Sequence, residues 1–242
     1  MNNTRRIQML IGAVLLIGLG ATAYASAISH TWHGYFTLAV MALAATTSRM
    51  KVKLPGIDGN MSVNLPFLLT AVVNLSSAEA VAITCISTVV QCWPRKSAKF
   101  NPQQMTFNLS MMAFAISAAS LVFQAVSQSS TLWHSTTLGL ALSTATLFLG
   151  QTTPVAGIIA ASEGKSAWSV WANLGQLSFP YYVIGAGVTS LVEAMTLHLG
   201  WGLALGVFPV MYAIHRSYTR YFNAMAENLR PQVLVRAAGA GA

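Results

Sequence analysis

All thirteen Lys and Arg residues of this chain lie in short gaps between apolar segments, and these gaps alternate with others that hold no Lys or Arg. The basic gaps contain Arg5 and Arg6; Arg49, Lys51 and Lys53; Arg95, Lys96 and Lys99; Lys165; and Arg216, Arg220, Arg230 and Arg236. The connections between them, near Ser29 to Thr31, Leu75 to Ser77, Ser127 to Thr131 and Thr196 to Leu199, contain none. Cytoplasmic loops of membrane proteins carry an excess of Lys and Arg. A chain segregated in this way is expected to cross a bilayer repeatedly, with both termini on the cytoplasmic side.

Crossing about 30 Å of hydrocarbon takes about 20 helical residues. Hydropathy read against turn residues predicts spans at Ile7 to Ser29, His33 to Thr47, Met61 to Ser76, Ala78 to Trp93, Met105 to Ala125, Leu132 to Ala161, Trp168 to Met195 and Gly200 to His215. The expected fold is therefore an all-α, polytopic integral membrane helix bundle of about eight spans, within a range of six to eight. Only 7% of residues are charged and 55% are apolar, against about 25% charged in soluble domains. That balance cannot cover a soluble surface, and it also excludes disorder, collagen and a disulfide scaffold. Cys85 and Cys92 share a helix face within one apolar segment and cannot bridge to each other there. Met1 to Ser29 begins like a secretory signal, but its apolar run is long enough to span and is read as a retained helix. The net charge of +8 follows from the bias toward basic inner loops and implies attraction to anionic lipid head groups. Nucleic acid is not an expected partner, because the basic residues sit in separate loops without a recognition motif.

Two places interrupt the pattern. Gln151-Thr152-Thr153-Pro154 falls inside the sixth segment, where Pro154 cannot donate to the helix ladder and is expected to kink or divide it. Asp58-Gly59-Asn60 is turn-forming, and Ser62 to Pro66 reads as extended chain before a short apolar helix. Non-helical backbone at that depth must be buried in protein or line a watery cavity.

Polar groups in a bilayer are costly, so each is a candidate for function as well as for helix packing. His30, His33, His134 and His198, with Glu79 and Glu193, fall at or near the outer ends of spans and are metal-ligand types. An interfacial belt of imidazoles beside Trp32, Trp133 and Trp201 is the favoured account of them, and no metal-site spacing supports the ligand role. Glu79 sits in the first turn of a helix that Ser76 or Ser77 can cap, so it reads either as a cap or as part of a ligand site. Asn108, Gln151, Thr152, Thr153, Asn173, Gln176 and Tyr181 form an inner polar set near Trp168, Trp171, Phe179 and Tyr182. They serve either as interhelical hydrogen bonds or as pocket lining. Asn64, Glu79, Gln151, Trp171 and Tyr181 are the expected ligand-binding residues, placed between the Met61 to Trp93 and Gln151 to Tyr182 regions. Arg95, Lys96, Lys99, Arg216 and Arg220 are expected to meet a cytoplasmic partner or lipid. Gly202 and Gly206, with Gly12, Gly18 and Gly20, are read as close-packing positions. No nucleophile elbow, carboxylate pair or phosphate loop is present in the sequence, and no enzymatic activity is expected.

Several of these stretches resemble a known family. Arg49-Met50-Lys51-Val52-Lys53-Leu54-Pro55-Gly56 followed by Met61 to Leu69, then Leu75 to Ala80, Lys99 to Gln104 with Phe107-Asn108, Ala161 to Ser166 with Val170-Trp171, Phe179 to Tyr182 with Gly185 to Gly187, and the exit from Pro209 to Tyr221 occur in order. They resemble the multi-span N-terminal sensor region that precedes cyclic-di-GMP output domains of the HD-GYP or GGDEF type in bacteria. The resemblance covers Met50 to Asn228. The middle part is also similar at fold level to the substrate-binding component of energy-coupling-factor transporters. The family's exit helix continues into a catalytic domain, whereas here Arg230-Pro231 is expected to break it before the small-residue end at Ala237 to Ala242. Cyclic-nucleotide chemistry is therefore not carried over.

The resulting expectation is a bacterial inner-membrane sensor or small-ligand-binding module: a membrane domain over 1–215, a juxtamembrane helix over 216–229 and a flexible tail over 230–242. Its output would come from a separate cytoplasmic signalling partner. The alternatives are a transporter or substrate-binding subunit served by an ATPase partner, and a membrane enzyme acting on lipid. The sequence names no cofactor and no ligand.

Overall fold

The structure, a computed structural model, describes residues 3–29, 31–53, 60–94, 100–128, 136–199 and 207–239. It is mostly helical. In chain order it runs α1 (Asn3–Ile28), α2 (Tyr35–Ser48), β1 (Lys51–Lys53), β2 (Asn60–Ser62), α3 (Leu65–Asn74), α4 (Ser77–Cys92), α5 (Pro102–Ser127), α6 (Thr136–Glu163), α7 (Ala167–Leu199) and α8 (Val207–Gly239). Among the described residues, three helical stretches are long and apolar enough to cross a membrane: Ile7–Ile28, Pro102–Ser127 and Thr136–Glu163. Helices α2, α3 and α4 are apolar but shorter.

Local chemistry sets most of the boundaries. Asn101 accepts a hydrogen bond from the Gln104 N–H at 3.2 Å, and Pro102 opens α5 where a missing N–H costs nothing. Ser76 and Glu79 form a capping box at the start of α4. Gly164, with φ of +66°, ends α6, and the Lys165 N–H bonds the Ala160 carbonyl at 3.1 Å. At the far end of α4, the Arg49 guanidinium donates to the Val90 carbonyl at 3.1 Å, satisfying a group that a helix C-terminus leaves open.

Two expectations about proline need correction. Pro154 does not divide the sixth segment, since α6 runs through it as one helix. Likewise α8 continues past Arg230-Pro231 to Gly239, where a break was expected. Pro231 deprives the Glu227 carbonyl of its helical donor, but Glu227 is exposed and its carbonyl can take another partner. The chain is also not purely helical. Antiparallel strands β1 and β2 pair Lys51 with Ser62, Val52 with Met61 and Lys53 with Asn60.

The core centres on α3. Seven residues of this ten-residue helix are buried, from Leu65 to Val72, and α2, α4, α5, α6 and α7 all pack against it. At 1.5 Å per residue α3 is only about 15 Å long. The backbone entering it, from Ser62 to Asn64, is strand end and turn. Helix α1 lies against α5, where Gly18 makes the contact possible: a Cβ there would stand 2.5 Å from the Ser110 carbonyl oxygen. Of the other glycines read as packing positions, Gly12 and Gly20 face open space, and Gly202 and Gly206 lie outside the described residues.

Candidate functional site

A cavity of about 240 Å³ opens beside the entry to α3. Its lining comes from both regions expected to hold it. Ser62, Asn64 and Leu65 supply the β2–α3 junction, Thr88 and Gln91 the end of α4, and Gln104 and Asn108 the start of α5. The opposite wall is Gln151, Thr152, Val155 and Ile159 from α6, and Leu174, Ser178, Tyr181 and Tyr182 from α7. The cavity exists because a half-length helix replaces a full one here, so that turn backbone and polar side chains face the space that α3 does not fill.

Tyr181 organises one wall. Its hydroxyl donates to the Ser62 carbonyl at 2.9 Å and accepts from the Leu65 N–H at 3.0 Å. It thereby satisfies two backbone groups of the irregular junction that no regular element could pair. Its ring meets Tyr218 of α8 edge-on, with centroids 6.1 Å apart and planes at 88°. Gly185, one helical turn beyond Tyr181, lets α7 approach α3: a Cβ there would stand 2.7 Å from Leu65 Cδ2.

The other polar groups fall into two kinds. Asn64 is used at both ends, accepting from the Ser62 hydroxyl at 2.7 Å and donating to the Ser87 hydroxyl at 3.2 Å. Gln151 accepts from the Tyr182 hydroxyl at 2.7 Å, which leaves its amide N–H groups open among the described residues. Asn108 donates weakly to Cys92 Sγ at 3.4 Å. Thr152, Ser178 and Thr88 turn their hydroxyl protons back onto carbonyls of their own helices at 2.7, 2.7 and 2.8 Å. Gln104 is exposed and marks the opening.

Of the five expected ligand residues, Asn64, Gln151 and Tyr181 meet at the cavity, while Glu79 and Trp171 do not line it. Trp171 stacks on Trp168 at 5.2 Å and meets Phe148 edge-on at 6.4 Å; its buried indole N–H has no partner among the described residues. Glu79 belongs to a separate cluster at the start of α4. Its buried carboxylate accepts from the His33 N–H at 2.6 Å, the Ser76 N–H at 2.9 Å and the Thr37 hydroxyl, and pairs with His33 Nδ1 at 2.9 Å. Thr153, Asn173 and Gln176 of the inner polar set are exposed, so they are not cavity lining. Sequence reasoning passed over Gln91 and Gln104, because polar residues flanking a basic loop read as ordinary helix ends.

A second, smaller cavity of about 30 Å³ holds Asn74 and Glu193, whose side chains are hydrogen bonded to each other. Among the described residues no three His, Cys, Asp or Glu side chains converge as a metal site. His30 and His134 lie outside the described residues, as do Arg95, Lys96 and Lys99, and the His198 side chain is not described. Arg216 and Arg220 are exposed on α8. No family model, curated protein or solved structure matches the chain.

Proposed function

We propose that the chain is a multi-pass protein of the bacterial inner membrane that binds a small molecule in the cavity beside α3 and reports its occupancy through α8. One observation carries the reading: Tyr181 lines the cavity, holds both sides of the β2–α3 junction and packs on Tyr218 of the exit helix. A ligand that displaces the Tyr181 ring acts at once on the helix that leaves the membrane. The basic residues support an inner location for this end, since the hairpin carries Lys51 and Lys53 and the α6–α7 turn carries Lys165. Under this reading all eight helices cross or enter the bilayer, α8 emerges on the cytoplasmic side, and Arg216 and Arg220 meet lipid head groups or a separate signalling partner.

The test has two parts. Native mass spectrometry of the gently extracted full chain should show a retained small molecule, lost on replacing Tyr181. With Cys85 and Cys92 changed to Ser, spin labels at Lys53→Cys and Arg220→Cys should change their separation when that molecule is restored. A bound molecule with an unchanged separation overturns the sensing role and favours a substrate-binding membrane subunit.

A further inference from the structure

We infer that the cavity takes an uncharged small molecule bearing a hydrogen-bond donor and acceptor side by side, as in a lactam or primary amide, and disfavours carboxylates, phosphates and ammonium groups. The inference rests on the ligand-binding reading above and narrows it. None of the described lining residues is Asp, Glu, Lys, Arg or His. A charge brought into such a space would lose its water without gaining an opposite partner, a cost larger than uncharged hydrogen bonds return.

The open hydrogen-bonding groups are of both kinds. With Oε1 of Gln151 taken by Tyr182, that amide offers N–H donors. With an N–H of Asn108 on Cys92, that amide offers its carbonyl as acceptor. Gln91 and Gln104 make no side-chain hydrogen bond among the described residues, and each presents donor and acceptor from one planar group. The hydroxyl protons of Thr88, Thr152 and Ser178 are already committed to helix carbonyls, so those groups add acceptors. An anion would find amide donors but would also face these acceptors, and a cation would find acceptors but would also face the Gln151 donors. A group with its own adjacent donor and acceptor meets both. The remaining walls include Met61, Met111, Met112 and Val155, which suit an apolar body of adjustable shape. The volume lies below the roughly 300–1,000 Å³ of sites for drug-sized ligands, so the molecule is small.

The full chain in phosphatidylcholine nanodiscs tests this with three probes of similar size: 2-pyridone, a lactam; its N-methyl derivative, which keeps the acceptor and lacks the N–H; and pyridine-2-carboxylate, an anion. Saturation-transfer NMR should find 2-pyridone bound at least about tenfold more tightly than either other probe, the equivalent of one well-made hydrogen bond to a buried group. Gln151→Glu keeps an acceptor for Tyr182 but removes the donors, and Gln91→Leu disturbs no side-chain hydrogen bond among the described residues. Each should weaken 2-pyridone binding severalfold. Equal binding of the three probes, preference for the carboxylate, no binding of 2-pyridone, or indifference to both substitutions overturns the assignment. The two readings fail separately. A charged molecule retained in native mass spectra removes the ligand class and leaves ligand binding, whereas lactam binding without movement of α8 leaves the class and removes sensing.

Discussion

Tyr181 has two jobs that a single atom separates. Tyr181→Phe keeps the ring against Tyr218 but strands the Leu65 N–H and the Ser62 carbonyl, both near a buried junction. The expected cost is about 1–3 kcal/mol, seen as a lower melting temperature in detergent with the cavity otherwise unfilled. An unchanged melting temperature would mean that water or another group pairs the junction equally well. Glu79 invites a sharper comparison. Ser76→Ala removes a cap and should cost about 0.5–2 kcal/mol. Glu79→Ala strands donors from His33, Thr37 and Ser76 together and should cost more, on the order of 3 kcal/mol. If the two variants melt together, Glu79 is only a cap. The capping role was legible from the Ser76 to Glu79 spacing alone, because a helix start is a local motif. The partners His33 and Thr37, 46 and 42 residues away, were not. Nothing in a local pattern records which distant N–H groups a carboxylate will face.

At the scale of elements, α6 shows why Pro154 need not divide a helix. Pro154 removes the N–H that would bond the Gly150 carbonyl, a loss that breaks a helix in isolation. Inside a bundle, neighbours hold the helix together: a Cβ at Gly150 would stand 2.9 Å from Ala115 of α5, so the two backbones are clamped at this level. Side-chain hydroxyls adjust the same turn, with Thr152 bonded to the Phe148 carbonyl. Such compensation is how membrane helices tolerate proline. Pro154→Ala restores one donor and should stabilise the protein by about 1 kcal/mol, read as a higher melting temperature. A lower one would show that the proline ring itself fills space beside Val155 and Thr152. The short α3 was readable, since turn residues followed by Pro66 fix where a helix can begin, but the extended stretch expected from Ser62 to Pro66 stops at Ser62: Val63 and Asn64 turn, and the helix starts at Leu65. Asn108 of α5 was already a candidate for the lining, but Gln91 and Gln104 were not, because they reach the cavity only through tertiary packing around that short helix.

The whole molecule is polarised. Lys51 and Lys53 lie on the hairpin whose second strand reaches the cavity and Lys165 lies in the α6–α7 turn, whereas His33, Asn74, Glu79 and Glu193 lie near the connections that carry no Lys or Arg. Under the proposed reading, the bias of basic residues toward inner loops would turn the opening toward the cytoplasm. Labelling decides this in intact cells with an impermeant maleimide, in a background where Cys85 and Cys92 are Ser. Gln128→Cys and Trp32→Cys should react without permeabilisation, while Lys53→Cys and Lys165→Cys should react only after it. Reversed labelling would turn the cavity outward. A ligand would then arrive from the periplasm, and α8, passing the same Tyr181 to Tyr218 contact, would end on the side where no cytoplasmic partner could receive its movement.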